Sequence, residues 1–458
     1  MLVAVAPVGR LDREFGNFRT GWRLPKDVAV DRKGSPMREN IFVLGLDRIN
    51  LETLRDLPHL ARYRFHALLD VDELVGADEI PLAELLDKAR EQLRSFDGSV
   101  DAIIGYWDFP VSSMVPLLCE EFGLRSAPLD AVVRCEHKYW SRLTQAEVID
   151  EHPPFALVRL DEDPSPPPDV GFPMWLKPVK SSSSELAFLV ENEEQFHGAV
   201  RRISEGVDRV GAPFNFVLSH VDLPPEVAEA GGRSCLAEGA AQGMQVTVEG
   251  YSANGTVRVY GVVDSHTYDD SPSFARYQHP TSLPDTVVDR LTSISTRVVR
   301  HTGLDSSTFN IEFFWAPETD TITLLEINPR HSQSHAVLFE MVDGIPNHQI
   351  MVDLALGRTP ELPHREGPHA VAATWFLRRF TDGTVRRVPT SDEVARVERE
   401  VPGVRIKIGV REGQRLSERH GQDSYSYELG RVYVGADDEA GMRERYAACV
   451  ERLPFEFG

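Results

Sequence analysis

Over residues 1–125, short apolar runs alternate with stretches of helical periodicity. The run IFVLGLD (41–47) ends in Gly and Asp, and INLETLRDL follows with helical spacing. FHALLDV (65–71) is a second strand candidate; PLAELLDKAREQLRSF (81–96) reads as a helix with proline in its first turn. DAIIGYW (101–107) is a third strand, and PVSSMVPLLCEEFGL (110–124) a helix with Val115, Leu118, Cys119 and Phe122 on one face. Strands that are apolar throughout, set between helices, predict a parallel sheet covered on both sides. Such sheets bind ligands at the carboxyl ends of their strands. GYWDFP lies at one such end, so Tyr106, Trp107 and Asp108 are candidates to face a site. The alternative for Asp108 is a helix cap.

The pattern then changes. RCEHKYWSRL is a basic, aromatic-rich helix start within 128–150, and DEDPSPPPD (161–169) is a proline-rich loop that marks a subdomain edge. FPMWLKPVKSSSSELAFLV reads strand, polar loop, strand. The Asn254–Gly255 pair between two strand patterns is a strong hairpin signal. STFNIEFFW (307–315) and TITLLEIN (321–328) predict a second antiparallel pair around APETD. The last hundred residues alternate strands (VAATWFLRR, VRIKIGV, GRVYVGA) with helices (SDEVARVERE, DEAGMRERYAACVERL), an α+β unit.

Composition narrows the function classes. A chain of 458 residues exceeds one compact core, so two or three domains are expected. With 49 basic and 71 acidic residues the formal charge is −22, which argues against nucleic-acid binding by a basic surface. The four cysteines, Cys119, Cys135, Cys235 and Cys449, have neither zinc nor redox spacing and read as free thiols. The N-terminal MLVAVAPVGR is too short and lacks the basic lead of a signal peptide. No run approaches the roughly 20 apolar residues of a membrane span. The expectation is a soluble cytoplasmic protein with no membrane partner.

One constellation carries chemistry. Glu312 sits mid-strand in FNIEFFW, and Glu326 and Asn328 stand two apart on the next strand, so the latter two share a face. Antiparallel pairing lets Glu312 share it too. Three oxygen donors on an otherwise apolar face suit a hard cation such as Mg²⁺, which completes its shell from water and phosphate. Arg330 follows immediately. Lys177 ends the apolar strand MWLK, and an inward lysine there needs an anionic partner. The serines after it, Ser182 and Ser183 among them, offer backbone N–H groups and hydroxyls as a phosphate cover. Lys138 lies upstream in a helical segment.

The order of Lys138, Lys177-Pro178 with its small-residue loop, the linker bearing Glu238, Glu312, and then Glu326-x-Asn328 resembles the ATP-grasp superfamily. Within it the chain looks most like ATP-dependent carboxylate–amine ligases of the L-amino-acid ligase and biotin-carboxylase-like type. The resemblance implies an α/β and α+β multidomain chain with an ATP-grasp fold. Its parts would be a pre-ATP-grasp domain at 1–125, a nucleotide domain at 126–360 with a mobile lid at about 150–235, and a small α+β subdomain at 361–458. It implies that Lys138 and Lys177 contact the ATP phosphates, Lys177 also lying near the adenine. Glu238 in CLAEGAAQG would accept from the adenine amino group, with Ala241 at the hinge beside it. Gln245 stands where the family has a glutamate on the ribose hydroxyls; an amide can still bond a diol. Glu312, Glu326 and Asn328 would hold two magnesium ions, with manganese as the alternative metal. Arg330 would hold the γ-phosphate or acyl-phosphate oxygens. The small-molecule substrates would be a carboxylic acid and an amine, and a homodimer is the family-level expectation.

The chain departs from the pattern at two places. HSQSHAVLFEMVDG replaces a glycine-rich stretch, so His331 to His335 would line the acceptor region, and His335 is a candidate for proton removal from the amine. In SFARYQHPTSLP (273–284), taken as a loop, Arg276 stands where the family has a glutamate that reads an amino group. That reversal points to a substrate with an anionic end, or to a slipped alignment. Biotin-carboxylase-like carboxylation, a non-catalytic ATP-binding protein and a kinase on the same fold stay open.

Overall fold

The computed structural model of the protein describes residues 38–75, 77, 79–160, 164–181, 185–419, 423 and 425–458. Ser182 and Ser183 of the serine loop lie outside the described residues.

The first part comprises β1 (Glu39–Leu44), α1 (Arg48–Arg55), β2 (Tyr63–Leu68), α2 (Val71–Leu74), α3 (Leu82–Arg94), β3 (Ala102–Ile104) and α4 (Val111–Phe122). The strands form a parallel sheet in the order β2-β1-β3. Strand β1 shows why its run from Ile41 to Leu44 is apolar. Phe42 and Leu44 pack with α3 and α4 on one side, while Ile41 and Val43 pack with Leu54 and Val352 on the other. Helix α4 runs through Pro116 and stops at Gly123, whose φ of 65° only glycine adopts easily.

A connector follows, α5 (Leu129–Glu136) and α6 (Lys138–Ala146). The break between them is His137. Its Nδ1 accepts from the Trp140 N–H at 3.2 Å, capping α6, and its Nε2 bonds the Gly231 carbonyl at 3.0 Å. Accepting at Nδ1 needs a neutral imidazole, with the proton on Nε2, and burial lowers its pKa to about 4.

Next come β4 (Phe155–Val158), β5 (Met174–Pro178), β6 (Phe188–Val190), α7 (Glu193–Gly206), α8 (Asp208–Leu218), α9 (Pro225–Ala230) and β7 (Cys235–Gly239). The strands make an antiparallel sheet in the order β4-β7-β5-β6, against which Phe196, Val200 and Ile203 of α7 pack.

The remainder is β8 (Met244–Ala253), β9 (Thr256–Tyr268), β10 (Ser271–His279), α10 (Asp285–Thr302), β11 (Ser307–Ala316), β12 (Thr321–Asn328), α11 (Ala336–Asp343), α12 (His348–Ala355), β13 (Val371–Arg379), β14 (Val385–Arg387), α13 (Ser391–Glu400), β15 (Val404–Ile408), β16 (Tyr427–Ala436), α14 (Glu439–Val450) and β17 (Glu456–Phe457). Asn254 (φ 51°) and Gly255 (φ 73°) make the expected tight turn between β8 and β9. An eight-stranded sheet runs β12-β11-β8-β9-β10-β13-β16-β15. It crosses residue 361 without a break, because β10 pairs with β13. The stretch expected as a loop at 273–284 is corrected here: residues up to His279 form β10, paired with β9 on one side and β13 on the other. Its ladder is supplied by β9 and β13 on either side, which a single-strand pattern does not reveal. Among the described residues, no helix is long and apolar enough to cross a membrane.

Candidate functional site

The two antiparallel sheets meet at α6. Its residues 138 and 142 are one helical turn apart and share a face. Arg142 spans both sheets: Nε donates to Glu238 of β7 at 2.6 Å, while Nη1 and Nη2 donate to the Leu324 and Leu325 carbonyls of β12 at 3.0 and 2.6 Å. Lys138 Nζ donates to Glu326 at 2.7 Å and to the Ser181 carbonyl at 2.8 Å. Lys177 of β5 pairs with the other Glu238 oxygen at 2.5 Å. Burial would raise the Glu238 carboxyl, but Arg142 and Lys177 outweigh it and hold it at about 2. A third lysine, Lys180, pairs with Glu136 at 3.2 Å between the rings of Phe109 and Phe214.

On the eight-stranded sheet, β11 and β12 pair so that Glu312 faces Glu326 and Asn310 faces Asn328. The Asn328 amide donates to Asn310 Oδ1 at 3.0 Å. Gln245 of β8 donates to Glu312 at 2.8 Å. Burial, and then the Glu326 charge, raise the Glu312 pKa. Burial acts the same way on Glu326, but Lys138 and Lys177 outweigh it and lower its pKa. Two carboxylates set opposite each other, one of them reluctant to ionise, form a pair that a divalent cation would relieve. Among the described residues no group of three or more His, Cys, Asp or Glu is arranged to hold a metal. Two carboxylates with neighbouring amides fit Mg²⁺, which takes its other ligands from phosphate and water.

Arg330 leaves β12 and turns toward the parallel sheet. Its Nε and Nη2 lie 2.7 and 2.6 Å from Asp108 Oδ1. His335 Nδ1 lies 2.8 Å from Glu249 of β8, a carboxylate that also accepts from the Ser332 N–H and the Tyr260 hydroxyl, each at 3.0 Å. Ala241 lies in the short connector from β7 to β8, where the chain passes from one sheet to the other.

The structure thus brings together Lys138, Lys177, Glu238, Gln245, Glu312, Glu326 and Asn328, with Arg330 and His335 following on the same chain segment. It does not bring Arg276 to them. Arg276 pairs with Glu439 of α14 at 2.8 Å and lies over Trp375, whereas the next residue, Tyr277, contacts His335 and has Glu312 among the charges acting on it. Neighbouring residues of a strand project to opposite faces, and β10 turns Tyr277 to the site and Arg276 away.

Sequence reasoning passed over Arg142, Lys180, Glu249 and Asn310. Three of these had a signal. Arg142 is four residues beyond Lys138 on a helix. Glu249 is an even number of residues from Gln245 on a strand. Asn310 precedes Glu312 as Asn328 follows Glu326, which is what antiparallel pairing of like with like requires. The Lys180–Glu136 pair had none.

Residues 170–336 match the family model of the ATP-grasp domain. In solved structures, the chain is similar to the L-amino acid ligase from Bacillus licheniformis (TM-score 0.68, 14% identity, covering 93% of this chain and 100% of that one). It is also similar to a biotin carboxylase–ATP complex from Campylobacter jejuni (TM-score 0.61, 14% identity, 91% and 92%). A third likeness is to phosphoribosylglycinamide synthetase from Anaerococcus prevotii (TM-score 0.60, 12% identity, 92% and 100%). Among curated proteins, an 84-residue stretch is 36% identical to the carbamoyl phosphate synthase large chain of Kocuria rhizophila; it spans 18% of this chain and 8% of that protein. The protein has the ATP-grasp fold and carries an ATP-grasp domain over residues 170–336.

Proposed function

We propose that the protein is an ATP-dependent ligase that activates a carboxylate as an acyl phosphate and couples it to an amine. The observation that carries this reading is the opposed pair Glu312 and Glu326 with Lys138 on Glu326: two carboxylates and a lysine cation where phosphates and their metal would sit. Lys138 and Lys177 would exchange their present carboxylate partners for phosphate oxygens, and Ser182 and Ser183 would be further phosphate partners. Glu238 and Ala241 would border the adenine and Gln245 the ribose. Glu312, Glu326 and Asn328 would hold Mg²⁺, which neutralises phosphate charge when bound. The likeness to the Bacillus L-amino acid ligase supports an amine acceptor.

In this reading a carboxylate oxygen attacks the γ-phosphorus and ADP leaves. The amine nitrogen then attacks the acyl carbon, and inorganic phosphate departs from the tetrahedral intermediate. Such transfers need positioning and charge neutralisation more than covalent help. Arg330 would hold the transferred phosphoryl oxygens. Glu249 accepts at Nδ1 of His335, which leaves Nε2 as the basic nitrogen to take the amine proton.

The test is phosphate release from ATP and Mg²⁺ with a panel of carboxylic acids, each with and without an amine pool, alongside Glu326→Ala. Release that needs both acid and amine and vanishes in the variant is expected. Release with bicarbonate and biotin alone would replace this reading with a carboxylase, to which the Campylobacter likeness also points. A stable phosphorylated product would make it a kinase.

A further inference from the structure

Asp108 follows β3 at the carboxyl edge of the parallel sheet, and its carboxylate is not spent on the helix after it. The cap position of α4 is Pro110, with no side-chain cap; Asp108 offers that helix only its backbone carbonyl, to the Val111 N–H at 3.0 Å. Its carboxylate reaches across to Arg330, 222 residues away in sequence.

The turn that carries Asp108 is fixed. Trp107 Nε1 donates to the Gly45 carbonyl at the end of β1 at 2.8 Å, and buried Tyr106 accepts from the Asp47 N–H at 3.4 Å. A second contact runs the same way: Asn50 of α1 donates to Gln333, and its oxygen bonds His348 Nε2 at 2.9 Å. The parallel sheet therefore grips the segment from Arg330 to Gln333 at two points.

The donor inventory of Arg330 shows what the grip achieves. A guanidinium has five N–H donors in one plane. Nε donates to Asp108, Nη2 lies 2.6 Å from the same carboxylate oxygen as its ion-pair partner, and one N–H of Nη1 goes to the His331 carbonyl at 3.2 Å. Among the described residues an N–H on each terminal nitrogen remains, and such a pair is what takes two oxygens of a phosphate. The Arg330 side chain as a whole keeps 18% exposure.

We propose that Asp108 is a positioning residue for Arg330. It holds one edge of the guanidinium so that the other is presented, already oriented, to the terminal phosphoryl group. The parallel-sheet part is thereby a component of the phosphoryl site rather than a neighbour of it. This rests on the nucleotide reading above and adds to it a residue outside the matched domain.

The test compares affinities for the magnesium complexes of ADP and of the β,γ-imido analogue of ATP, by calorimetry on the full chain. Asp108→Asn keeps the shape and one acceptor but removes the charge. It should weaken the imido analogue about tenfold, the scale of one charge-assisted bond, and leave ADP within about twofold. Asp108→Glu should recover part of the loss. In an Arg330→Ala background, Asp108→Asn should change nothing further. Melting temperatures track folding, since a residue that only joins two parts of the fold would lower stability and both affinities together. Equal losses for the two nucleotides, no change, or tighter binding of the analogue (an Asp108 that merely competes with phosphate) would each overturn the inference while leaving the nucleotide reading intact. Wild-type protein that binds neither nucleotide overturns that reading and the inference with it.

Discussion

Replacing Glu238 with Gln removes one charge and almost no volume from the centre of the β4-β7-β5-β6 sheet. The carboxylate is buried and holds Arg142 at 2.6 Å and Lys177 at 2.5 Å. Its carboxyl titrates at about 2 instead of 4.5. At about 1.4 kcal/mol per tenfold change in Ka, the two cations favour the ionised folded state by about 3 kcal/mol. Breaking a buried pair from one side costs about 3–5 kcal/mol, since the opposite charge is left unpaired. The two routes agree, so Glu238→Gln is expected to lose about 3 kcal/mol in the stability of this sheet. The sign with pH follows: a depressed carboxyl stabilises above pH 4.5, and that contribution disappears as pH falls from 4.5 through about 2. Hydrogen exchange of the β4, β5 and β7 amides reads the local loss without assuming two-state unfolding of so long a chain. Wild type should lose amide protection steeply over that acid range and the variant should not. A variant within about 0.5 kcal/mol of wild type at pH 7, or one with the same acid response, would refute the reasoning.

Further outcomes are expected. Burial and Glu326 raise the Glu312 carboxyl, so metal-free protein loses stability as pH rises above 4.5 toward that raised value; Mg²⁺ should restore it, and Glu312→Gln should melt higher without metal yet gain nothing from Mg²⁺. His137 is buried neutral at about 4, so between pH 6.5 and 4 the unfolded chain binds a proton that the folded chain does not. Stability should therefore fall by about 3 kcal/mol on acidification through that window, and less in a His137→Asn variant, read by denaturant midpoints. Arg276→Glu sets a carboxylate against Glu439; it should lower the melting temperature by a few degrees, roughly 1 kcal/mol, and leave preference among carboxylic acids unchanged.

The alternation of apolar runs and amphipathic helices determined the parallel sheet, because the 41–44 run of β1 is buried on both faces. The Asn254–Gly255 turn and the even spacing of Glu326 and Asn328 determined a hairpin and a shared face, both local properties of the backbone. What only the tertiary structure decided was long-range partnership. The opposition of Glu312 and Glu326 depends on strand register, which one strand's sequence does not encode. That Arg142 bridges two sheets, and that Asp108 turns to Arg330 rather than to its own helix, depends on residues about 100 to 220 positions apart meeting in space. The face that β10 shows the site, Tyr277 and not Arg276, was set by its pairing with β9 and β13, because a one-residue change in register exchanges the two faces of a strand.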